Sequence, residues 1–495
     1  MPDLTLEFIV KALTGQPLDE TARVEGVVID SRDVAPGSVF AALPGEKVDG
    51  HTYVADAIKR GAAAALIDRD LDLPHPVLDL RDEATWRAMP LPRLPLLLLT
   101  NNVTLALQRI ARQWTHRWLD LPGRRVIGIT GSVGKTTTKE LAAQVLSVRY
   151  HTLRSERSYN NEIGLPLSVL RLRDAHERAV LEMSMYVPGE IKLLVEIAPP
   201  QVGVLTLIAP VHAERAGSLE AIVDAKAELV EALPPAHEGV AILNHDDENV
   251  MSLAARTEAE VVTYGLTSEA DLWAEDIEGL GLEGIRFWLR GGPRFGTRPT
   301  GRLRYAVKLP MLGRHSVQTA LRAAAVGLVE GMHWEEVIRG LQDTERQLRL
   351  IAIEGPNGSV ILDDTYNASP PSTIAALNLL NDLMEGRRIA VLGDMLELGA
   401  YEVQGHRDVG IRAAEVADVV VTVGERGRII ASAARQYARR GRPEIKEFDG
   451  PEAAADFLLG VLQPGDAVLV KGSRALGMER IVEHFQNALR SGRAG

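Results

Sequence analysis

An α/β chain of three domains is the fold the sequence predicts. Strand-like and helix-like segments alternate throughout, the pattern of sheets that are largely parallel. A glycine loop follows the β-branched segment VIGIT and opens a helix, and near Thr344 the strand–turn–helix pattern starts again. A chain of 495 residues also exceeds what one hydrophobic core supports, and about 150 residues per domain suggests three units. The expected units are residues 1–103, a small N-terminal α/β domain; 104–344, a central P-loop domain with a mostly parallel sheet; and 345–495, a C-terminal Rossmann-like α/β domain.

The first unit contains GVVIDSR, the loop ALPGEKVDGH, a helix-like stretch around Tyr53 to Arg60, and AAAALID. Prolines 90, 92 and 95 lead to LLLLTNN, read as this unit's last strand. A helix follows with Leu107, Ile110, Ala111, Trp114 and Trp118 on one face, placed to join two domains. In the second unit the strands are VIGIT, AVLEM, VGVLTL and VAILN, and in the third SVILDD, RIAVLGD, DVVVTV and DAVLVK.

Composition narrows the function. With 46% hydrophobic and 25% charged residues, the chain has the balance of a soluble globular protein. Lys and Arg number 55 against 67 Asp and Glu, and a net charge of -12 disfavours nucleic acid or an anionic membrane as partner. The absence of cysteine excludes disulfides, thiolate catalysis and Cys-ligated metal centres. MPDLTLEFIVKALTG does not read as a signal peptide, and no apolar run approaches the roughly 20 residues of a membrane span. The expected location is the cytoplasm.

The strongest local signal is Gly128-Ile-Thr-Gly131-Ser132-Val133-Gly134-Lys135-Thr136, between a strand and a helix bearing Leu141, Ala142, Val145 and Leu146. Glycines let backbone amides close on phosphate oxygens, and a helix N-terminus favours the anion. Lys135 is placed to reach terminal phosphates and Thr136 to ligate Mg²⁺. This is the shorter G-x-x-G-K-T form, and it predicts an ATP site. Phosphate binding alone leaves ligases, kinases and switches open.

Glu182 ends the strand AVLEM, at the edge where open α/β sheets bind ligands; it reads as a metal ligand or as an exposed strand-end carboxylate. His212 follows VGVLTL at the same edge. In SLEAIVDAKAELV, Lys226 shares a helical face with Leu219, Ile222, Val223 and Val230. A lysine so placed either snorkels to solvent or is held neutral, and a neutral amine can take up CO₂ as a carbamate.

In their order these motifs resemble the Mur ligase family of bacterial cell-wall synthesis, over nearly the whole chain. The resemblance rests on Asp30-Ser31-Arg32 with PGSVFAALPGEKVDGH, on GSVGKTTTKE, YNNEIGLPLSVL and LEMSMYVPGEI, and on LDDTYNASPPS, VLGDMLELG and VLVKGSRALGMERIV. It implies an ATP-dependent, ADP-forming amide ligase that works through an acyl phosphate in peptidoglycan precursor synthesis. The implied substrates are UDP-N-acetylmuramoyl-tripeptide and D-alanyl-D-alanine, used by a monomer.

Carried over by position, Lys135, Lys226, His212 and Asn160 are implied as catalytic, and Thr136, Glu182, His212 and carbamylated Lys226 as Mg²⁺ ligands. Gly131, Ser132, Val133, Gly134, Lys135, Thr136, Thr137, Arg349 and Asp364 are implied to hold ATP. Ser31 and Arg32 are implied for the uridine nucleotide, and Tyr366, Asn367 and Ser372 for the amino substrate. Asn161 falls in the same family segment as Asn160. The chain departs from the family pattern at Ser158, Leu207, Ala227, Ser316 and Thr319; the last two stand where asparagines near the adenine are usual.

Overall fold

Parallel pairing needs crossover connections, and the helices between the strands supply them. The computed structural model describes residues 4–16, 22–45, 48–81, 94–156, 158–210, 214, 217–296, 304–343, 351–383, 386–439 and 442–492, whose strands form three sheets. The first holds β1 (Val27–Val28), β2 (Val39–Ala41), β3 (Ala64–Ile67), β4 (Val77–Asp79) and β5 (Leu96–Leu99), all parallel, in the order β1-β2-β3-β5-β4. LLLLTNN therefore supplies the last strand in sequence but an interior one in space. All four leucines of β5 are buried because both faces of the strand are covered.

The second sheet holds β6 (Arg125–Thr130), β7 (Thr152–Arg154), β8 (Arg178–Glu182), β9 (Val202–Leu205), β10 (Val240–Asn244), β11 (Glu260–Gly265), β12 (Leu272–Gly279), β13 (Ile285–Gly291) and β14 (Tyr305–Leu309). Its order is β14-β13-β12-β11-β10-β9-β6-β8-β7, parallel except for the antiparallel pairs β12–β13 and β13–β14. The chain reaches β8 and β7 on one side of β6 and β9 on the other. This reversal opens a crevice at the C-terminal ends of those strands.

The third sheet holds β15 (Ile351–Glu354), β16 (Val360–Asp364), β17 (Arg388–Gly393), β18 (Val419–Val423), β19 (Glu444–Phe448) and β20 (Ala467–Lys471) in the order β15-β16-β20-β17-β18-β19. Only the edge pair β15–β16 is antiparallel. The α/β class with largely parallel sheets is as the sequence predicts. Among the described residues no helix is long and apolar enough to cross a membrane.

The helix Val103–Leu119 begins where the Asn102 side chain accepts from the Leu105 amide at 2.9 Å. Its face of Leu107, Ile110, Ala111, Trp114 and Trp118 is fully buried. That face belongs to one continuous apolar cluster reaching from Leu66 and Leu98 of the first sheet to Leu181 and Leu205 of the second. The third sheet carries separate clusters on its two faces. Trp114 meets Phe8 edge-on with ring centroids 5.0 Å apart, and its indole N–H donates to the Leu172 carbonyl at 3.3 Å. Trp114→Ala removes the largest side chain of this junction and is expected to cost about 3–5 kcal/mol in denaturant unfolding.

Candidate active site

The phosphate loop leaves β6 between β8 and β9, so groups from three strand ends surround it. Gly131 has φ 140°, and a Cβ there would lie 1.9 Å from Thr206 Oγ1. Thr206 in turn donates to the Val133 carbonyl at 2.6 Å, and the Ser132 amide donates to the Leu207 carbonyl at 2.7 Å. Ser132 Oγ donates to the Ala209 carbonyl at 2.8 Å, so its side chain fastens the loop to the chain beyond β9. Gly134, at φ 86°, caps the helix Lys135–Leu146, whose first turn contains Thr136 and Thr137. Lys135 Nζ folds back to the Gly131 carbonyl at 2.8 Å. Gly131→Ala combines strain with a clash and is expected to cost about 1–3 kcal/mol of stability and most ADP affinity. Thermal unfolding and calorimetric ADP titration check both parts.

Beside the loop, Glu182 at the end of β8 is 2% exposed and uses both carboxylate oxygens. Oε2 accepts from Thr136 Oγ1 at 2.6 Å and Oε1 from Asn160 Nδ2 at 2.8 Å. Lys226 is 3% exposed, on the buried face of the helix Leu219–Glu231. Burial, first, and the charge of Lys135, second, hold its pKa well below the ordinary lysine value. Burial of the residue as a whole thus favours the neutral amine over a side chain extended into solvent. Among the described residues no three His, Asp or Glu side chains converge as a metal site.

The structure brings Lys135, Thr136, Asn160, Glu182 and Lys226 into one crevice. Asn161 turns away, its Oδ1 accepting from the Gly164 amide at 2.9 Å to start a helix, and it does not join them. Asp364 ends β16 and accepts from Lys471 Nζ at 2.6 Å; Lys471 also donates to the Asn367 carbonyl at 2.8 Å. The Tyr366 hydroxyl meets Ser158 Oγ, on the segment between β7 and β8 of the second sheet. Asn367 Oδ1 accepts from the Ala368 amide at 2.9 Å. Ser372 Oγ donates to the Ser369 carbonyl at 3.0 Å, so it shapes the start of the helix Pro370–Leu383. His212 and Arg349 lie outside the described residues.

In the first sheet's loops Ser31 is 7% exposed, whereas Arg32 stands out and forks onto Asp30, with Nε 2.9 Å from Oδ1. The hydrogen bonds from Arg32 hold the Asp30 carboxyl down at about 2. Sequence reasoning missed Thr206, which pins the loop, and Lys471, the buried partner of Asp364. The LVK ending of β20 was the available signal for Lys471, a lone cation closing an apolar strand.

Family models match three stretches of the chain: the Mur ligase family catalytic domain over residues 23–97, the Mur ligase middle domain over 129–327, and the Mur ligase glutamate ligase domain over 348–474. A UDP-N-acetylmuramoyl-tripeptide–D-alanyl-D-alanine ligase from Bacillus subtilis is 33% identical over 478 residues, covering 96% of each chain. Among solved structures, MurF from Acinetobacter baumannii superposes with a TM-score of 0.81 at 29% identity, over 98% of this chain and 100% of that one. A MurF ligase from Thermotoga maritima in complex with ADP gives a TM-score of 0.74 at 26% identity, over 97% and 99%. With three family domains in order along a chain that such a relative matches over 96% of its length, this protein belongs to the Mur ligase family.

Proposed function

We propose that the chain is an ADP-forming ligase that joins D-alanyl-D-alanine to UDP-N-acetylmuramoyl-tripeptide at the expense of ATP. The observation that carries the reading is the cluster of Thr136, Glu182 and Asn160 beside a glycine phosphate loop, with two lysines, one of them buried, at its side. The full-length likeness to ligases of that name supplies the substrates.

A carboxylate resists amines because its charge is shared by two oxygens. Phosphoryl transfer from ATP converts it to an acyl phosphate, ADP leaves, the amine attacks the carbonyl carbon, and inorganic phosphate departs. The loop amides and Lys135 hold the triphosphate and offset charge on the transferred group. Gly131 fits this task because its lack of a Cβ leaves the loop free to pack on Thr206. Thr136 and Glu182 form a hard oxygen pair that would hold Mg²⁺, and His212 and carbamylated Lys226 would be its further ligands. Bound Mg²⁺ supplies charge neutralisation at the phosphates. Asn160 orients Glu182 from its other oxygen. Glu182→Gln keeps the shape and removes the anion, and is expected to raise the Mg²⁺ concentration for half-maximal activity about tenfold or more.

In this reading residues 1–103 hold the uridine nucleotide with Ser31 and Arg32, 104–344 hold ATP, and 345–495 bring Asp364, Tyr366, Asn367 and Ser372, with Arg349, over nucleotide and amine. A cytoplasmic monomer suffices for it. The test is ADP release with Mg²⁺ATP, D-alanyl-D-alanine and UDP-N-acetylmuramoyl-tripeptides differing in the third residue, with the product weighed by mass spectrometry. Release that needs both substrates and yields the pentapeptide supports the reading. Release indifferent to both, without product, leaves an ATPase.

A further inference from the structure

Arg322 lies on the helix His315–Val329, one turn beyond Thr319, and is 3% exposed. Its Nη2 donates to Thr319 Oγ1 at 2.8 Å and its Nη1 approaches the Tyr264 hydroxyl at 3.4 Å. Nε has no hydrogen-bond partner, and among the described residues no carboxylate pairs with the guanidinium. An arginine stays charged in a protein, and a buried charge without a counter-ion is strongly unfavourable. The two nearby aspartates are otherwise engaged: Asp247 accepts from the amides of Ile208 and Asn249, and Asp246 from the Leu266 amide and Gln318.

The guanidinium also lies against the phosphate loop, since a Cβ on Gly134 would stand 3.2 Å from Nη2. Tyr264, its other neighbour, bonds to the carbonyls of Leu205 and Thr206, the residues that back the loop. His315 at the start of the same helix feels the charges of Asp364, Lys471 and Arg322 together, so this helix end lies toward the C-terminal ends of β16 and β20. We infer that Arg322 is a nucleotide-binding residue of this chain, its guanidinium taking the negative charge of the nucleotide's phosphate groups as the counter-ion that the protein itself does not provide. The inference rests on the ATP reading of the loop, and adds to it a cation outside the loop pattern.

Calorimetric titration of the full-length protein with ADP tests it on two variants. Arg322→Met keeps bulk and removes charge, and is expected to weaken ADP binding about ten- to hundredfold. Arg322→Lys keeps the charge without the planar fork and is expected to recover a large part of that loss. Unchanged ADP affinity in Arg322→Met overturns the inference. So does an equal loss in both variants, because a side chain that only braces Thr319 and Tyr264 through its fork is not replaced by lysine. Wild-type protein that binds ADP but forms no D-alanyl-D-alanine product sinks the ligase reading and leaves this one standing; wild-type protein that does not bind ADP sinks both.

Discussion

Lys226→Met is expected to lower kcat about a hundredfold or more while leaving the fold intact. Lys226 is buried, and its amine feels the charge of Lys135, so a second positive charge there is repelled. Uptake of CO₂ by the neutral amine forms an N–C bond, releases one proton and turns that repulsion into attraction. Wild-type activity should therefore fall in CO₂-free buffer and recover with bicarbonate, whereas Lys226→Met should ignore both. A ¹³C resonance from labelled bicarbonate, absent in the variant, reads the adduct directly. Activity indifferent to CO₂, with no such resonance, would leave Lys226 an ordinary buried amine.

The same burial gives a stability signature with a defined sign. The folded pKa lies below the unfolded one, near 10.5, so between the two the unfolded chain binds an extra proton. In CO₂-free buffer stability then rises with pH through that window and levels off above the unfolded value. Lys226→Met should lack this rise, and its advantage over wild type should grow as pH falls. Urea titrations at several pH values measure it.

Lys135→Met is expected to lower kcat/KM for ATP about a thousandfold, with a smaller loss in ADP affinity. Nζ now rests on the Gly131 carbonyl at 2.8 Å, a contact that a phosphate oxygen can replace with little movement. The loop amides remain in the variant and still bind phosphate. A charge that counts most during transfer is thus removed while much of the ground-state binding survives. A coupled ADP assay beside a calorimetric titration separates the two. Equal losses in both would make Lys135 a binding group only.

Much of this arrangement was legible because periodicity constrains it. A β-branched run followed by a glycine loop fixes which end of β6 faces the crevice, and helical spacing put Lys226 on the apolar face of its helix, with snorkelling and neutral burial both open until its exposure was known. What was not legible is set by contacts between distant segments. Asn160 and Asn161 are neighbours, yet one reaches Glu182 and the other accepts from the Gly164 amide. Arg322 reads as one more helical arginine until Gly134 and Tyr264 are seen against it. The antiparallel strands β12–β14 are a different case. Ile285, Phe287 and Leu289 alternate with exposed or half-buried neighbours along β13, a period-two signal already present in IRFWLRG.

The six tryptophans stand at positions 86, 114, 118, 273, 288 and 334, so residues 345–495 contain none. Intrinsic indole emission therefore sees Trp114 and Trp118 in the core shared by the first two sheets and is blind to the third. Melting followed by emission and by far-ultraviolet circular dichroism should part company if the third sheet, with its separate cores, unfolds independently, and should coincide if the chain unfolds as one. The same blindness is an opportunity for spectroscopy: a single tryptophan introduced beyond residue 345 would add a signal of its own against a background that arises wholly from residues 1–344.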